Sequence, residues 1–397
     1  YFLEQCLYSV IKAGKKIDSE IFVVDNHSSD GSKAYLEKKF PNVVFKWNTE
    51  NIGFAKANNS VLKDARGSVI LFLNPDTIVP EDCFEKCLAF INSNADCGAL
   101  GVRMIDGTGS FLRESKRSLP TPMASFFKMA GLANLFPASA FFSKYYAGHL
   151  PELETNRVDV LAGAFLMIRK KVLDKTGGFD EAFFMYAEDI DLCYRVQKEG
   201  YKNYYFTGTS IIHFKGESTQ RESASYVTRF YGAMQLFVRK HYRNKKVTAF
   251  LMTIAISLGK LLAFIKLYFK KYLFGSKKKL ALGCGGTILI ADQPYFTDII
   301  QLIKYAKDPL LIQGRVSLDV NDKFPSTGSI DDIQNIVKKN RTSVILFCED
   351  PLAFKTMIGI MELLKGQVNF LFHAKGSEGI VGSSDKHDNG IFISRTL

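Results

Sequence analysis

The chain has 397 residues, of which 47% are hydrophobic, and it carries a net charge of +12 at pH 7 with a pI of about 9.2. This composition excludes general disorder and predicts two or three domains with large apolar cores. The positive charge favours anionic partners, namely nucleic acid, phosphorylated small molecules or an acidic membrane surface. The seven cysteines are scattered and include no CxxC pair. We therefore expect reduced thiols in the cytoplasm and no zinc site.

The first part of the sequence alternates predicted helices and strands. The apolar pattern predicts helices at 1–13, 32–39, 54–65 and 81–92, and strands at 20–24, 43–47, 68–76 and 99–104. Alternation at this spacing is typical of βαβ units and a mostly parallel sheet. Because the chain opens inside a predicted helix and without an initiator methionine, we expect an N-terminal piece to be missing.

One stretch, Ser68 to Thr77, organises this half of the chain. Its five consecutive apolar residues, followed by Asn74-Pro75-Asp76, predict a buried strand that ends in a sharp turn. A strand that is apolar on both faces belongs in the middle of a covered, parallel sheet. We therefore expect Asp76 just beyond the carboxyl end of that strand, where open α/β sheets bind ligands.

The part from residue 113 to residue 243 is less regular. Residues 113–157 combine clustered aromatic side chains with little periodicity, which is typical of a lid, an acceptor site or a contact surface. Beyond this insertion we predict strands at 158–169, 204–206 and 210–213, and helices at 170–176, within 183–195 and at 222–243. The helix within 183–195 begins with acidic residues, which suit a helix N-terminus.

Residues 247–274 are apolar but contain lysines. The uncharged run ends at Gly259 after 13 residues, short of the roughly 20 that a membrane-spanning helix needs. One interpretation is a helix in the membrane interface whose lysines reach the headgroups. The other is a helix packed on its own protein or on a second subunit. We divide the chain into a domain at 1–245, an amphipathic helical linker at 246–280 and a domain at 281–397.

The C-terminal block is a second predicted βαβ array. Strands are predicted at 287–291, 309–313, 342–348 and 367–372, with helices near 296–306, 331–339 and 351–364. The glycines at 283–286 precede the first strand, and the turn after it, Asp292-Gln293-Pro294, lacks dinucleotide-binding glycines. This block resembles the Rossmann-like N-terminal domain of polyprenyl-phosphate sugar transferases. We expect it to bind no dinucleotide.

Two aspartates follow predicted strands. Asp25 can accept hydrogen bonds from a nucleobase or ribose, and the alternative is a local Asx turn or helix cap. Asp76 can ligate Mg²⁺ or Mn²⁺, since hard divalent ions take few protein carboxylates and complete their shell with phosphate oxygens and water. The alternative is an aspartate that only closes its turn.

Three further positions have a chemical and a structural interpretation. Gly53 lets the backbone approach a ligand at a helix start, and Lys56 can offset phosphate charge; the alternative is an ordinary loop-to-helix junction. Asp189 can take a proton from a sugar hydroxyl, or it can simply favour the helix dipole. His213 can be a metal ligand through a neutral imidazole, or a structural histidine.

Together these residues form a specific combination. The segments VVDNHSSDGS, NIGFAKANN, FLNPDT, LAGAFLMIRK, GGFDEAFFMYAEDIDLCYR and IIHFKGES, in this order and spacing, resemble family 2 glycosyltransferases of the bacterial rhamnosyltransferase-like branch. The resemblance covers residues 1 to about 243. It implies a GT-A fold, an α/β domain with a mixed, mostly parallel sheet that binds a nucleotide-sugar and a divalent metal, Mg²⁺ or Mn²⁺.

The resemblance assigns a role to each motif. Asp189 matches the catalytic base of the family's ED motif, Asp76 the last aspartate of its DxD motif, and His213 the histidine that completes the metal site in some members. The remaining residues assigned to the donor are Asp25, Asn51, Gly53, Lys56 and Asn58, with Asp76 shared between donor and metal. The residues assigned to the acceptor are Gly163, Ala164 and Glu188.

The sequence departs from the family in two ways. The motif at 74–76 has one carboxylate instead of two, and the family's first strand is absent before Tyr1. The implied function is an inverting glycosyltransferase that acts on a glycan or a lipid-linked acceptor for bacterial surface polysaccharide, at the inner face of the membrane. The alternative is a non-catalytic nucleotide-sugar-binding scaffold. Because no nucleic-acid module is recognisable, we expect no nucleic-acid partner.

Overall fold

The computed structural model describes residues 1–121, 123–124, 127, 131–214, 223–273, 286–304, 310–318, 323–383 and 390–394. It contains two α/β units, one before and one after a long helix, so the predicted fold class is confirmed. Some predicted features lie outside the described residues. These are Phe126 of the aromatic insertion, residues 215–218 of the IIHFKGES motif, the basic run 275–279 and the glycines 283–285.

The N-terminal unit has short strands and helices in the predicted order. Its helices are α1 (Phe2–Gly14), α2 (Ser32–Lys39), α3 (Phe54–Asn59), α4 (Cys83–Ser93), α5 (Leu132–Leu135), α6 (Lys170–Thr176) and α7 (Glu188–Lys198). Its strands are β1 (Phe22–Asp25), β2 (Val44–Trp47), β3 (Val69–Leu73), β4 (Thr77–Ile78), β5 (Cys97–Ile105), β6 (Lys116–Arg117), β7 (Asn156–Val158), β8 (Val160–Leu161), β9 (Phe165–Arg169) and β10 (Lys202–His213).

Two of these elements differ in length from the prediction. Helix α3 ends at Asn59 instead of Ala65, because Asn and Ser side chains compete for backbone hydrogen bonds: the Asn58 amide donates to the carbonyl oxygen of Phe54 at 2.9 Å. Strand β10 joins the two short strands predicted between 204 and 213, across a register shift between Phe206 and Ser210.

The main sheet has the order β3-β9-β5-β10-β4, and β7 pairs with β10. Strands β5 and β10 are parallel, and β9 runs antiparallel to both β3 and β5. Strand β3 is therefore the end of this sheet among the described residues, and the expected place in its middle is wrong. Five apolar residues in a row indicate a strand, but they do not reveal its neighbours. Strands β1 and β2 form a separate parallel pair.

The C-terminal unit is built around the sheet β12-β11-β13-β14-β15-β16, in which the first four strands are parallel. Its strands are β11 (Thr287–Ile290), β12 (Ile312–Val316), β13 (Val344–Cys348), β14 (Asn369–His373), β15 (Gly379–Gly382) and β16 (Ile391–Ser394). Its helices are α10 (Gln293–Lys304), α11 (Ile333–Asn340) and α12 (Phe354–Leu363). The first four strands agree with the predicted array, whereas β15 and β16 were not predicted.

Helices α8 (Ala224–His241) and α9 (Lys246–Leu273) connect the two units. They pack on each other through Val238 of α8 and Met252 and Ile256 of α9. Within residues 246–269 of α9, a stretch of 18 residues has a mean hydropathy of 2.0, and only 17% of that stretch is buried. By length and composition alone, the 24 residues 246–269 can cross a membrane. The expected 13-residue run is therefore part of a longer apolar helix.

The two units share an apolar contact. Phe214, which follows β10, lies between Phe2 of α1 and Phe372 of β14, with ring centroids 5.1 and 5.4 Å away. The buried Arg103 of β5 pairs with Glu362 of α12 and with Glu152. The second unit thus packs against the strands that end at the candidate site.

Candidate active site

The sharp turn after β3 brings Asp76 to the end of β10. Oδ1 of Asp76 lies 3.3 Å from Nε2 of His213, and the Asn74 amide lies 3.5 Å from the same nitrogen. Backbone pairing fixes this geometry, because β4 runs antiparallel to β10 with Thr77 opposite His213. The side chains of Asp76 and His213 are 5% and 9% exposed. The two residues predicted to hold a metal are therefore adjacent.

Gly163 and Ala164 connect this pair to Asp189. The backbone N–H of Asn74 donates to the carbonyl oxygen of Ala164 at 3.0 Å. On the other side, the N–H of Gly163 donates to Oδ2 of Asp189 at 3.2 Å. The segment Gly163–Ala164, which precedes β9, therefore contacts the Asn74–Asp76 turn, called the metal-side turn below, on one side. On its other side it contacts Asp189, the predicted base. A Cβ at Gly163 would lie 3.4 Å from the Cβ of Asp189, so glycine keeps this approach close.

Asp189 begins α7 and is held by three donors. Besides Gly163, the N–H of Ile190 donates to Oδ1 at 2.8 Å, and Arg117 donates to Oδ2 at 2.5 Å. The side chains of Arg117 and Asp189 are 12% and 14% exposed. A guanidinium beside the carboxylate holds it in one orientation. A carboxylate held in this way has the form that a general base needs.

The backbone that leads into α7 is unusual. Tyr186 and Ala187 have φ angles of 70° and 64°, a region that non-glycine residues rarely adopt and that carries strain. Glu188 follows, and burial together with the adjacent Asp189 charge raises the pKa of its carboxyl group to about 8. Among the described residues, Oε2 of Glu188 has no hydrogen-bond partner. The pair thus combines an ionised Asp189 with a Glu188 that is protonated at neutral pH.

The residues predicted for the nucleotide end of the donor lie in a second group. The Asn26 amide, one residue after Asp25, donates to the carbonyl oxygen of Gly53 at 3.2 Å. Gly53 has a φ of 87°, and an added Cβ there would lie 2.6 Å from the carbonyl oxygen of Phe184. The N–H of Phe54 donates to that same oxygen at 2.8 Å. This group therefore adjoins the strained loop before α7.

Several of these side chains make local hydrogen bonds. Asp25 accepts from the N–H of Ser28 at 2.8 Å, which is the Asx-turn alternative, and Asn51 accepts from Gly53 at 3.0 Å. The Asn58 amide bonds within its own helix, whereas Lys56 is exposed. The assignment of these residues to the donor stays a prediction.

Arg117 is the residue near the site that the sequence did not single out. It lies on β6, inside the insertion that was predicted to be a lid or an acceptor site. Its partners are Asp189 and the carbonyl oxygen of Leu161, and β6 pairs with β8. The only sequence signal was the basic pair Lys116-Arg117 in an otherwise aromatic segment. The insertion therefore reaches the predicted base directly.

The pair Asp76 and His213 fits a divalent cation. An aspartate oxygen and an imidazole nitrogen are both accepted by Mn²⁺, and Mg²⁺ favours the oxygen. Among the described residues, Nδ1 of His213 has no hydrogen-bond partner and no cluster of three or more metal-binding side chains exists. Two protein ligands leave the remaining positions for phosphate oxygens and water. The residues present therefore suit a cation that is bound together with a diphosphate.

Comparison with known proteins matches the N-terminal part of the chain to a family of enzymes. Residues 2–177 match the sequence model of the family described as glycosyl transferase family 2. The chain is 28% identical over 247 residues to N-acetylglucosaminyl-diphospho-decaprenol L-rhamnosyltransferase of Mycobacterium tuberculosis, which covers 59% of this chain and 79% of that protein. It is 27% identical over 169 residues to the rhamnosyltransferase WbbL of Escherichia coli, which covers 41% of this chain and 61% of that protein.

Among solved structures, the chain is similar to the mannosyltransferase PcManGT from Pyrobaculum calidifontis, in complex with GDP-Man and Mn²⁺. The identity is 15%, the match covers 70% of this chain and 72% of that one, and the TM-score is 0.42. At this distance the likeness decides no detail of the site. The argument for the family comes from the sequence matches.

The α/β unit with carboxylates at its strand ends is thus a sugar-transferring enzyme. Residues 2–177 match glycosyltransferase family 2, and the relatives named as rhamnosyltransferases support a glycosyltransferase. The resemblance on which the predictions were based is confirmed at this level.

Proposed function

We propose that the protein is an inverting glycosyltransferase that moves a sugar from a nucleotide diphosphate donor to a hydroxyl group of a glycan or lipid-linked acceptor. The observation that carries this proposal is the segment Gly163–Ala164, which is bonded to Asp189 on one side and to the Asn74–Asp76 turn on the other. Donor phosphate and acceptor hydroxyl must meet across a short distance, and this segment supplies that meeting point.

The donor binds between the two groups of the site. Asp25 accepts hydrogen bonds from the base or ribose, and the N-terminus of α3 after Gly53, with the exposed Lys56, faces phosphate. Asp76 and His213 hold the divalent cation, Mg²⁺ or Mn²⁺, against the diphosphate. Bound there, the cation supplies Lewis-acid stabilisation of the departing phosphate charge.

The chemical step needs one base. Asp189 takes the proton from the acceptor hydroxyl as its oxygen forms the new bond to the anomeric carbon. The bond from that carbon to the donor phosphate breaks on the opposite face, and the electron pair leaves with the nucleoside diphosphate. The configuration at the anomeric carbon is therefore inverted. Arg117 orients the carboxylate of Asp189.

Glu188 serves the acceptor. With its pKa raised to about 8 by burial and by the Asp189 charge, it is protonated at pH 7 and donates a hydrogen bond. A neutral acid beside an ionised base avoids two adjacent negative charges. We assign it, together with the backbone at Gly163 and Ala164, to the acceptor hydroxyls.

The acceptor class follows from the relatives' activities and the chain's charge. The Mycobacterium tuberculosis relative is named for a diphospho-decaprenol acceptor, and a lipid-linked diphosphate suits a chain with a charge of +12. We place the enzyme at the cytoplasmic face of a bacterial membrane, in surface polysaccharide synthesis, with a rhamnosyl or other hexosyl donor.

The test is turnover. The chain is incubated with Mn²⁺ and a panel of UDP-, GDP- and dTDP-sugars. A lipid-linked sugar diphosphate is the acceptor. We expect donor-dependent product with one nucleotide class and an inverted anomeric linkage by NMR. Donor binding without turnover across the panel would instead favour the non-catalytic scaffold.

A further inference from the structure

One segment accounts for the whole net charge of the protein. Residues 239–279 contain twelve Lys or Arg and no Asp or Glu. The chain has 52 Lys and Arg and 40 Asp and Glu in all, so the rest of the chain carries forty of each. The basic character is therefore a local property of α9 and its flanks, not a general property of the surface.

The same helix exposes an apolar stripe. Ten large apolar side chains of α9 are between 40% and 74% exposed: Val247, Phe250, Leu251, Ile254, Leu258, Leu261, Leu262, Ile265, Tyr268 and Phe269. At 3.6 residues per turn, most of them fall within one side of the helix, and the row is roughly 33 Å long. Monomeric soluble proteins rarely expose so long a contiguous apolar surface.

The lysines of α9 lie outside this stripe. By helical spacing, Lys260 lies nearly opposite Leu258, and Lys246 and Lys266 lie beside the apolar row. The face opposite the stripe, with Met252 and Ile256, is buried on α8. The helix thus has one side fixed to the protein, one side that is apolar and open, and the exposed Lys246 and Lys266 at the borders of the apolar side. This is the distribution of a helix that lies in a membrane interface.

A second copy of the chain fits the stripe less well. A coiled-coil seam takes about two positions in seven, and its borders carry charges of both signs. The stripe on α9 is wider, and the charged residues at its borders are all cations, since residues 239–279 include no acid. Two such helices would repel each other, whereas an anionic lipid surface attracts each of them.

A spanning orientation conflicts with the fold. The residues before and after α9 pack on each other, as Phe214 on Phe372 and Arg103 with Glu362 show. If α9 crossed the bilayer, these partners would lie on opposite sides of it. A return crossing by residues 274–285 would put the lysines at 277–279 into the hydrocarbon. Both ends of α9 therefore stay on one side.

We propose that α9 lies flat on an anionic bilayer, with its apolar stripe against the acyl chains and its lysines at the headgroups. The occupant of this surface is the lipid bilayer itself. The inference deepens the proposed function, because it supplies the location of a lipid-linked acceptor.

Side-chain contacts connect α9 to the active site through α8 and α7. Asp191 of α7 accepts hydrogen bonds from Lys240 at 2.7 Å and pairs with His241 at 2.6 Å, both at the end of α8. Helix α8 packs on α9, and α7 begins with the base, Asp189. A bilayer that binds the stripe therefore fixes the direction in which the base faces the membrane surface.

The test is flotation of the purified full chain with vesicles, with no substrate present, so that its result is independent of transfer. Vesicles of phosphatidylcholine with roughly 30% phosphatidylglycerol are compared with pure phosphatidylcholine. We expect at least about tenfold tighter binding to the anionic vesicles, and at least about a tenfold loss for Leu258→Gln/Leu261→Gln. The matched control is Leu311→Gln/Leu363→Gln, which changes two equally exposed leucines in the second unit.

A second experiment reverses the charge of two lysines on α9. Lys246→Glu/Lys266→Glu should weaken binding to anionic vesicles, whereas Lys338→Glu/Lys339→Glu on α11 should leave it unchanged. Unchanged flotation of the stripe variant would overturn the proposal. So would a dimer that the stripe variant dissociates and that binds no vesicles. Protection of one unit from protease by the vesicles would indicate a spanning helix and would also overturn it.

Discussion

The two α/β units present the same architectural feature, the carboxyl edge of a sheet with parallel strands, but they use it differently. In the N-terminal unit, Asp76 and His213 meet at the ends of β3 and β10 with side chains that are 5% and 9% exposed. Asp189, at the start of α7, is linked to them through the backbone of Gly163 and has a side chain that is 14% exposed. In the C-terminal unit, Glu349 and His373 follow β13 and β14 and are 2% and 5% exposed. Burial lowers the pKa of His373 to about 4, so this histidine is neutral.

Helix α1 covers the second edge. The Gln5 side chain accepts from the N–H of Ala374 at 2.7 Å and donates to Ser377 and Gly379. Lys12 pairs with Glu349. Residues 1, 5, 8 and 12 lie on one face of the helix by spacing. The opposite side of α1 contacts the metal-side turn, where Ser9 accepts from the N–H of Val79 at 3.2 Å. Helix α1 thus contacts both groups of strand ends, and its Gln5 and Lys12 side chains bind the one in the C-terminal unit.

The largest effect that would sharpen this comparison is expected for the base. Asp189→Asn should lower kcat by about 10²- to 10⁴-fold, because the amide cannot accept the proton, with donor affinity unchanged. The matched control is Asp292→Asn, the same change at a strand end of the C-terminal unit. Transfer assays and calorimetry measure both quantities. An equal loss of kcat in Asp189→Asn and Asp292→Asn would contradict the different roles assigned to the strand ends of the two units.

A structural carboxylate on α7 should behave differently from the base. Asp191 is fully buried with Arg195, Lys240 and His241, so Asp191→Ala should lower the free energy of unfolding by about 3–5 kcal/mol. These partners lower its pKa to about 2. Its contribution is therefore present above its ordinary pKa of 3.8 and is lost as the pH falls through about 2. Urea unfolding, with the exposed Asp174→Ala as control, checks this.

A substitution at the strand ends that α1 covers in the C-terminal unit should lower the free energy of unfolding and leave the transfer rate unchanged. Gln5→Ala leaves the N–H of Ala374 unpaired in a buried site, which costs about 1–3 kcal/mol. We expect an unchanged transfer rate at temperatures where the variant is folded. Thermal unfolding monitored beside activity measures both, and Lys15→Ala on the same helix is the control. A fall in kcat without a fall in stability would mean that the covered edge takes part in the reaction.

A pH-dependent effect is expected for Glu188. Its pKa is raised from 4.5 to about 8, so the folded state binds a proton that the unfolded state has already lost. Stability from this group is complete below pH 4.5 and falls by about 1.4 kcal/mol per pH unit as the pH rises towards 8. The difference in unfolding free energy between wild type and Glu188→Gln should follow that slope. A difference independent of pH would contradict the assignment.

Local sequence patterns predicted most elements, because alternation and apolar periodicity are local properties. Strands β11 to β14 and helix α7 follow from them. The edge position of β3 did not, since sheet order depends on contacts distant in sequence. The same limit applies to the site. Motifs identified Asp76, Asp189 and His213, but Arg117 is 72 residues from its partner Asp189 and lies in an aperiodic insertion.

The membrane-facing helix shows a related limit. The sequence indicated lysines within an apolar run and left two interpretations open. Only the fold reveals that Met252 and Ile256 face the protein while Leu258 and Leu261 face outward. It also shows that the two units contact each other.

The central claim is that Asp76 and Asp189 serve one pocket in separate roles. The direct measurement is calorimetric titration of UDP, GDP and dTDP, with and without Mn²⁺, into wild type, Asp76→Asn and Asp189→Asn. We predict that one nucleotide binds wild type and Asp189→Asn equally, and that Asp76→Asn lowers the Mn²⁺-dependent affinity by at least about tenfold. Mn²⁺-dependent binding that survives Asp76→Asn, or is lost in Asp189→Asn, would contradict the claim.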